Sequence, residues 1–257
     1  MITIKNDLQL AKMRSAGHLL YDVLCQLRER MAPGMTTLDL DRYAHELITH
    51  AHAIPSFLGY EGYPATLCVS IDDEVVHGIP SKHIEMKEGS IVSVDCGLVL
   101  DGWQADSAFT KGMGQISPEC AQLIEVTERC FFEGARQAVD GNRLGDIGHA
   151  VQQLAESYNY GVIRDLTGHG IGREMHEDPP VFNYGTPDRG LRLRKGMTIA
   201  IEPMISAGDW HITCDADQWC YRTRDRSLTS HYEHTIAINE DGLPEILTYP
   251  DFKWEDK

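Results

Sequence analysis

Two histidines, His169 and His176, stand seven positions apart in "TGHGIGREMHEDPP", a stretch otherwise made of three glycines, acids and a double proline. Alone, the segment suits a metal site, a catalytic pair or a surface loop, since loops are often glycine-rich and carry histidine. Carboxylates elsewhere decide between these readings. In "VDCGLVLDGWQAD", Asp101-Gly102 is a strong two-residue hairpin turn, which makes Leu100 face Trp103 and Asp95 face Ala108. Asp106 shares the parity of residue 108, so it lies on the face of Asp95, one diagonal step and roughly 7 Å away. Two acids that close on an inward face repel and desolvate at high cost unless a cation compensates them. The competing reading of this hairpin in isolation is a pair of solvated acids.

A second acid pair lies further on. Glu202 interrupts the apolar strand "TIAIEP", and Glu233 in "HYEHTIAI" plays the part of Asp106. The insertion "DWHITCDADQWCYRTRDRSL" separates the two and reads as an elaborated hairpin connection. Four carboxylates and one imidazole make a hard, oxygen-rich set suited to two divalent first-row ions that share bridging carboxylates and a water. His169 is the better candidate for the imidazole, because its flanking glycines let the backbone approach closely. His176 lies beyond them and can reach from the loop toward a substrate.

The elements that hold these residues follow from periodicity. From Asp7, apolar residues at helical spacing run to Met31 and predict a helix that Pro33-Gly34 ends. Thr36 or Thr37 caps a second helix with Leu40, Ala44, Leu47 and Ile48 on its buried stripe. "SPECAQLIEVTERCFFEGARQAVDG" starts on a serine cap followed by proline and stops at Asp140-Gly141, and "LGDIGHAVQQLAES" gives a fourth helix. "GSIVSVDCGLVL", "GMTIAIEPMIS" and "HYEHTIAIN" read as strands. A constant offset of 107 residues superposes Pro33-Gly34 on Asp140-Gly141, Asp39 on Asp146, Leu47 on Leu154, Gly89 on Gly196 and Asp95 on Glu202. One α/β domain over 1–257 is therefore expected, with related halves at about 1–115 and 116–257 and a site at their contact.

Composition narrows the function classes. At 257 residues and 42% hydrophobic the chain can bury a large core. A net charge of −16 and no basic patch argue against binding DNA or RNA. Seven cysteines without a CxxC pair argue against a disulfide framework or zinc knuckle. With no secretory core at the N-terminus and no apolar run of spanning length, a cytoplasmic protein away from the membrane is expected.

At this point the chain resembles the methionine aminopeptidases, in the bacterial branch without an N-terminal zinc extension. The matching segments are "GYEGYPATLCVSIDDEVVHGIP", "VDCGLVLDGWQADSAFT", "TGHGIGREMHEDP", "IEPMI" and "DRSLTSHYEHTIAI", in order along nearly the whole chain. The resemblance implies the pseudo-symmetric pita-bread (creatinase/aminopeptidase) fold, with antiparallel sheets covered by helices. It implies two divalent ions, of cobalt, manganese, iron, zinc or nickel, at Asp95, Asp106, His169, Glu202 and Glu233. It further implies that His77 and His176 contact the substrate, with Glu202 relaying a proton from a metal-activated hydroxide. Spacing alone would leave His77 in a capped turn before Gly78-Ile79-Pro80. Tyr60, Tyr63, Cys68 and Trp219 match positions that enclose a methionine side chain, while Phe57 and Met175 stand where related bacterial enzymes often carry cysteine and phenylalanine. The implied substrates are nascent chains with a small second residue. A transient ribosome contact and a monomer are expected. The rivals are a proline-directed peptidase of the same fold, which usually has an additional N-terminal domain for which this chain leaves no room, and a metal-free binding protein that has lost ligands.

Overall fold

The computed structural model describes residues 2–256. Helix α1 (Asp7–Arg30) begins at Asn6, whose side chain accepts the Gln9 N–H while the Gln9 side chain accepts that of Asn6. This reciprocal cap satisfies two donors that the first turn leaves free. Thr36 and Ser117 cap α2 (Thr37–His50) and α3 (Pro118–Arg136) by accepting the N–H groups of Asp39 and Cys120, and α4 runs Leu144–Ser157. Two helices stop short of the expected breakers. α1 ends at Arg30, before Pro33, and α3 ends at Arg136 because Ala138 N–H turns back to Ala135 O, a tighter bond that closes the last turn.

Nine strands form the main sheet. Its spine runs β1 (Ile54–Pro55), β4 (Ile91–Leu100), β5 (Trp103–Gly112), β14 (Glu233–Ala237), β9 (Thr198–Ile201), β7 (Gly168–Gly170) and β8 (Glu177–Val181). β2 (Leu67–Ile71) pairs with β4, and β15 (Glu245–Ile246) with β14. Every pairing is antiparallel. A second sheet orders β13 (Thr229–His231), β10 (Met204–Ser206) and β6 (Gly161–Val162). A third orders β11 (Ile212–Cys214), β12 (Tyr221–Thr223) and β3 (Glu74–Val76).

The expected long strands 196–206 and 231–239 are each broken. The breaks fall at Glu202-Pro203, where the chain passes from the main sheet into the second, and at Tyr232, where it returns. Pro203 has no N–H to give a ladder, yet its carbonyl accepts the Tyr232 N–H at 3.2 Å, so the two chains stay in register across the break. The insertion is a β-hairpin as expected. It docks on β3, where Arg222 pairs with Asp73 at 2.9 Å, with Asp215 at 2.6 Å and with Glu74.

The halves repeat one another in detail. α2 and α4 begin and end 107 positions apart, as do the isolated bridges Thr36 to Glu85 and Arg143 to Arg192. Gly34 and Gly141, both at positive φ, give their N–H groups to Met86 O and Leu193 O, again at that offset. One core joins the halves through Leu20, Leu40, Phe131, Ile147, Ile199 and Ile236, all fully buried. Among the described residues no helix is long and apolar enough to cross a membrane.

Candidate metal centre

The hairpin turn forms as read, with Asp101 and Gly102 both at positive φ and Leu100 opposite Trp103. Asp95 consequently faces Ala108, and Ala108 in turn faces Glu233 on β14. The pairs Ile201 with His234 and Met204 with His231 flank Glu202 and Glu233, which sets those two acids opposite each other. Asp95, Ala108, Glu233 and Glu202 thus form one row across β4, β5, β14 and the end of β9. Asp106 lies two residues from Ala108 on the same face. Its backbone is clamped on both sides by Thr235 Oγ1, which accepts its N–H at 3.1 Å and donates to its carbonyl at 2.9 Å. Ser107 Oγ donates to Glu233 O at 2.6 Å, and Asn183 Nδ2 to Glu202 O at 2.9 Å.

His169 is placed by close backbone contact. A Cβ on Gly168 would meet Ala200 O at 2.3 Å, and one on Gly170 would meet Asp178 O at 2.2 Å. His169 Nδ1 lies 2.9 Å from Gly170 O, which suits an N–H donated to that carbonyl and leaves Nε2 as the free acceptor, the usual arrangement of a ligating imidazole. Nε2 stands 3.7 Å from Asp106 Oδ2 and 3.9 Å from Glu202 Oε1. Gly170→Ala should therefore cost about 1–3 kcal/mol of stability through overpacking and weaken metal uptake together with it. Thermal unfolding and metal titration of one preparation check this, and a variant with unchanged values in both would contradict the close approach.

The donor atoms fall into two groups, Asp106 with His169 and Glu233, and Glu202 with His231 and Glu233, each within 4.8 Å. Asp95 belongs to neither group, and among the acids Asp106 acts on it most strongly. The buried Oδ1 atoms of Asp95 and Asp106 and Oε1 of Glu233 have no hydrogen-bond partner. Among the described residues, no lysine or arginine pairs with any of the four acids. Burial, then the neighbouring acids, pushes Asp95 and Glu233 well above the usual carboxylate range, and burial pushes Glu202 up to about 8. Burial works against charging His169, but the carboxylates of Asp106 and Glu202 outweigh it and raise its pKa. Orphaned oxygens, and acids kept protonated by burial and mutual repulsion, are the mark of a site built around positive charge. The donor set fits divalent cations.

The acids form the floor of a cavity of about 140 Å³, whose lining includes every residue expected to meet substrate: Tyr60, Tyr63, Cys68, His77, His176 and Trp219. Tyr63 OH lies 3.0 Å from Leu67 O and 3.1 Å from Gly78 O, so its ring is locked, and Trp219 packs edge-on to it at 5.1 Å. The docked insertion delivers Trp219. Burial of Cys68, then the field of Asp95, keeps its thiol protonated. Phe57, which lines the cavity, packs with Met175 against Gly97, opposite Asp106. His77 sits in the left-handed region at φ 62° and is lowered by burial, hence neutral. His176 is pushed down to about 4 by burial and then by the field of His169, and Tyr60 OH lies 2.8 Å from its Nδ1.

One residue at the centre escaped the sequence reading. His231 is buried beside Glu202 and Glu233. The signal was its position two residues before Glu233, the spacing that puts two side chains on one face of a strand.

With this geometry in place, the known relatives can be compared. The model of metallopeptidase family M24 matches residues 11–240. The methionine aminopeptidase of Clostridium acetobutylicum is 53% identical over 248 residues, 96% of this chain and 99% of that protein. The chain belongs to the methionine aminopeptidases of family M24. A methionine aminopeptidase 1 of Bacillus subtilis is 42% identical over 248 residues, 96% of this chain and 99% of that protein. The crystal structure of the methionine aminopeptidase from Rickettsia prowazekii superposes with a TM-score of 0.95 at 41% identity, over 97% of this chain and 100% of that one. The fold is the pita-bread fold of the methionine aminopeptidases. Prolidase from Pyrococcus furiosus shares that fold alone, with a TM-score of 0.76 at 20% identity over 97% of this chain and 66% of that one.

Proposed function

We infer that this protein removes the N-terminal methionine from polypeptides whose second residue is small, in a reaction that depends on divalent metal. The observation that carries this reading is a row of buried acids without a basic partner, at the foot of a small cavity walled by Tyr63, Cys68 and Trp219. Asp95, Asp106, His169, Glu202 and Glu233 would hold two cations, whose Lewis acidity would lower the pKa of water at the site and whose charge would seat the free α-amino group. Requirement for that amino group makes the activity an exopeptidase.

The remaining work falls to the chain's own residues. Glu202 takes the proton of the attacking water and passes it to the departing amine. His176 is neutral with Nδ1 held by Tyr60, so its Nε2 is free to meet the developing oxyanion. His77 orients the scissile amide from the opposite wall. Tyr63, Cys68 and Trp219 take up the methionine side chain through apolar and sulfur–aromatic contacts. Crowding past the acids excludes a large second side chain before its carbonyl reaches the attacking oxygen.

The two halves act as a single domain over 1–257, with the site on their shared sheet. Nascent chains are the substrates, the enzyme works as a monomer in a reducing cytoplasm, and its ribosome contact is transient. The deciding experiment is hydrolysis of Met-Ala-Ser by chelated protein given each cation in turn without oxygen, beside Xaa-Pro peptides. Cleavage of Xaa-Pro but not Met-Ala-Ser would replace this reading with a proline-directed one, and no cleavage with any cation would leave a binding protein. Tyr60→Phe should lower kcat/KM by roughly 10-fold, the worth of one hydrogen bond to a catalytic group, with metal content unchanged. Equal rates in the two proteins would remove the hydroxyl from the account of His176.

A further inference from the structure

His231 ends β13 with its imidazole buried and 1% exposed. Its Nε2 has no hydrogen-bond partner and points at two of the acids, 3.8 Å from Glu202 Oε2 and 3.8 Å from Glu233 Oε2. Those separations are too long for hydrogen bonds. They fit two donors on one ion, since ligands held at about 2.0–2.2 Å from a common cation lie roughly 3–4 Å apart. His169 Nε2 stands in the same relation to Asp106 and Glu202, at 3.7 and 3.9 Å.

We propose that His231 is a metal ligand, so that each of the two ions receives an imidazole. Asp106, His169 and Glu233 would serve one ion, with Asp95 beside Asp106, and Glu202, His231 and Glu233 the other; Glu233 is common to both groups, and Glu202 faces His231 through Oε2 and His169 through Oε1. This assignment rests on the dinuclear reading of the site. Its chemical consequence is a softer donor set for the second ion, which favours iron, cobalt or zinc over manganese more than a set with one imidazole in total would. It also tightens the second equivalent, because a neutral imidazole adds a ligand without adding to the repulsion among the acids.

The test counts imidazoles by X-ray absorption on protein loaded with two equivalents of cobalt, alongside calorimetric titration of the chelated protein. Wild type should average about one imidazole per ion. His231→Gln should average half, with its second equivalent weakened by at least about 10–100-fold, the loss that follows removal of even a ligand's hydrogen-bond partner. His169→Gln should also keep half, all of it from His231. An average of one half in wild type, or a His231→Gln protein that binds both equivalents as wild type does, overturns the assignment while leaving the dinuclear reading intact. Failure of wild type to take up a second ion overturns both. Should His231→Gln fail to fold, the wild-type count alone decides.

Discussion

Glu202→Gln should lower kcat for Met-Ala-Ser by about 10²–10⁴-fold, the usual worth of a positioned acid–base group, in protein shown by titration to hold both metal equivalents. The amide keeps the shape of the side chain and one ligating oxygen but cannot accept the proton of an attacking water. Glu202 is well placed for that task. It stands at the break between β9 and β10, is held through its carbonyl by Asn183, and lines the substrate cavity. Wild-type turnover in metal-replete Glu202→Gln would transfer the proton relay to another group, and loss of turnover only in step with loss of metal would reduce Glu202 to a ligand.

Chelation should abolish turnover and also make stability depend steeply on pH. Glu202 has a folded pKa of about 8 against an ordinary 4.5, and Asp95 and Glu233 are displaced in the same direction. A raised acid adds stability that is fully present below its unfolded pKa and is lost as pH rises through its folded pKa. The chelated protein therefore weakens between about pH 4.5 and 8. His176 and His231, lowered to about 4 and about 3, act at the other end, since their contribution is present above 6.5 and lost as pH falls through those values. Bound cations keep the acids ionised and remove the alkaline loss, so metal uptake releases protons. The melting temperatures of loaded and chelated protein should diverge by roughly 5–10 °C between pH 6 and 8.5, as a few kcal/mol does in a chain of this size. Parallel melting curves over that range would mean that the acids are not kept protonated by burial in the chelated state.

Much of this site was legible before any fold was known. Asp101-Gly102 specifies a turn whose twist suits a hairpin, and parity then puts Asp95 and Asp106 on one face without reference to the rest of the chain. Thr36, Ser117 and the offset between α2 and α4 were readable for the same reason, being decided within a few residues of themselves. Glu202 and Glu233 could be picked out as acids inside apolar strands, where a charge needs a partner.

What the sequence determined, then, was the four acids and His169 as candidate ligands, the shared face of Asp95 and Asp106, and the family, because caps, turns and strand parity act over short distances. Only the tertiary structure decided that Glu202 and Glu233 lie directly opposite each other, that Trp219 reaches the cavity from an insertion docked on the other half, and that His231 turns its Nε2 toward the acids. Those outcomes depend on where two strands leave one sheet for another at Pro203 and Tyr232, and on Arg222 finding Asp73 and Glu74 far along the chain. Such contacts are chosen by competition among distant partners for the same buried surface, and no local pattern carries that information.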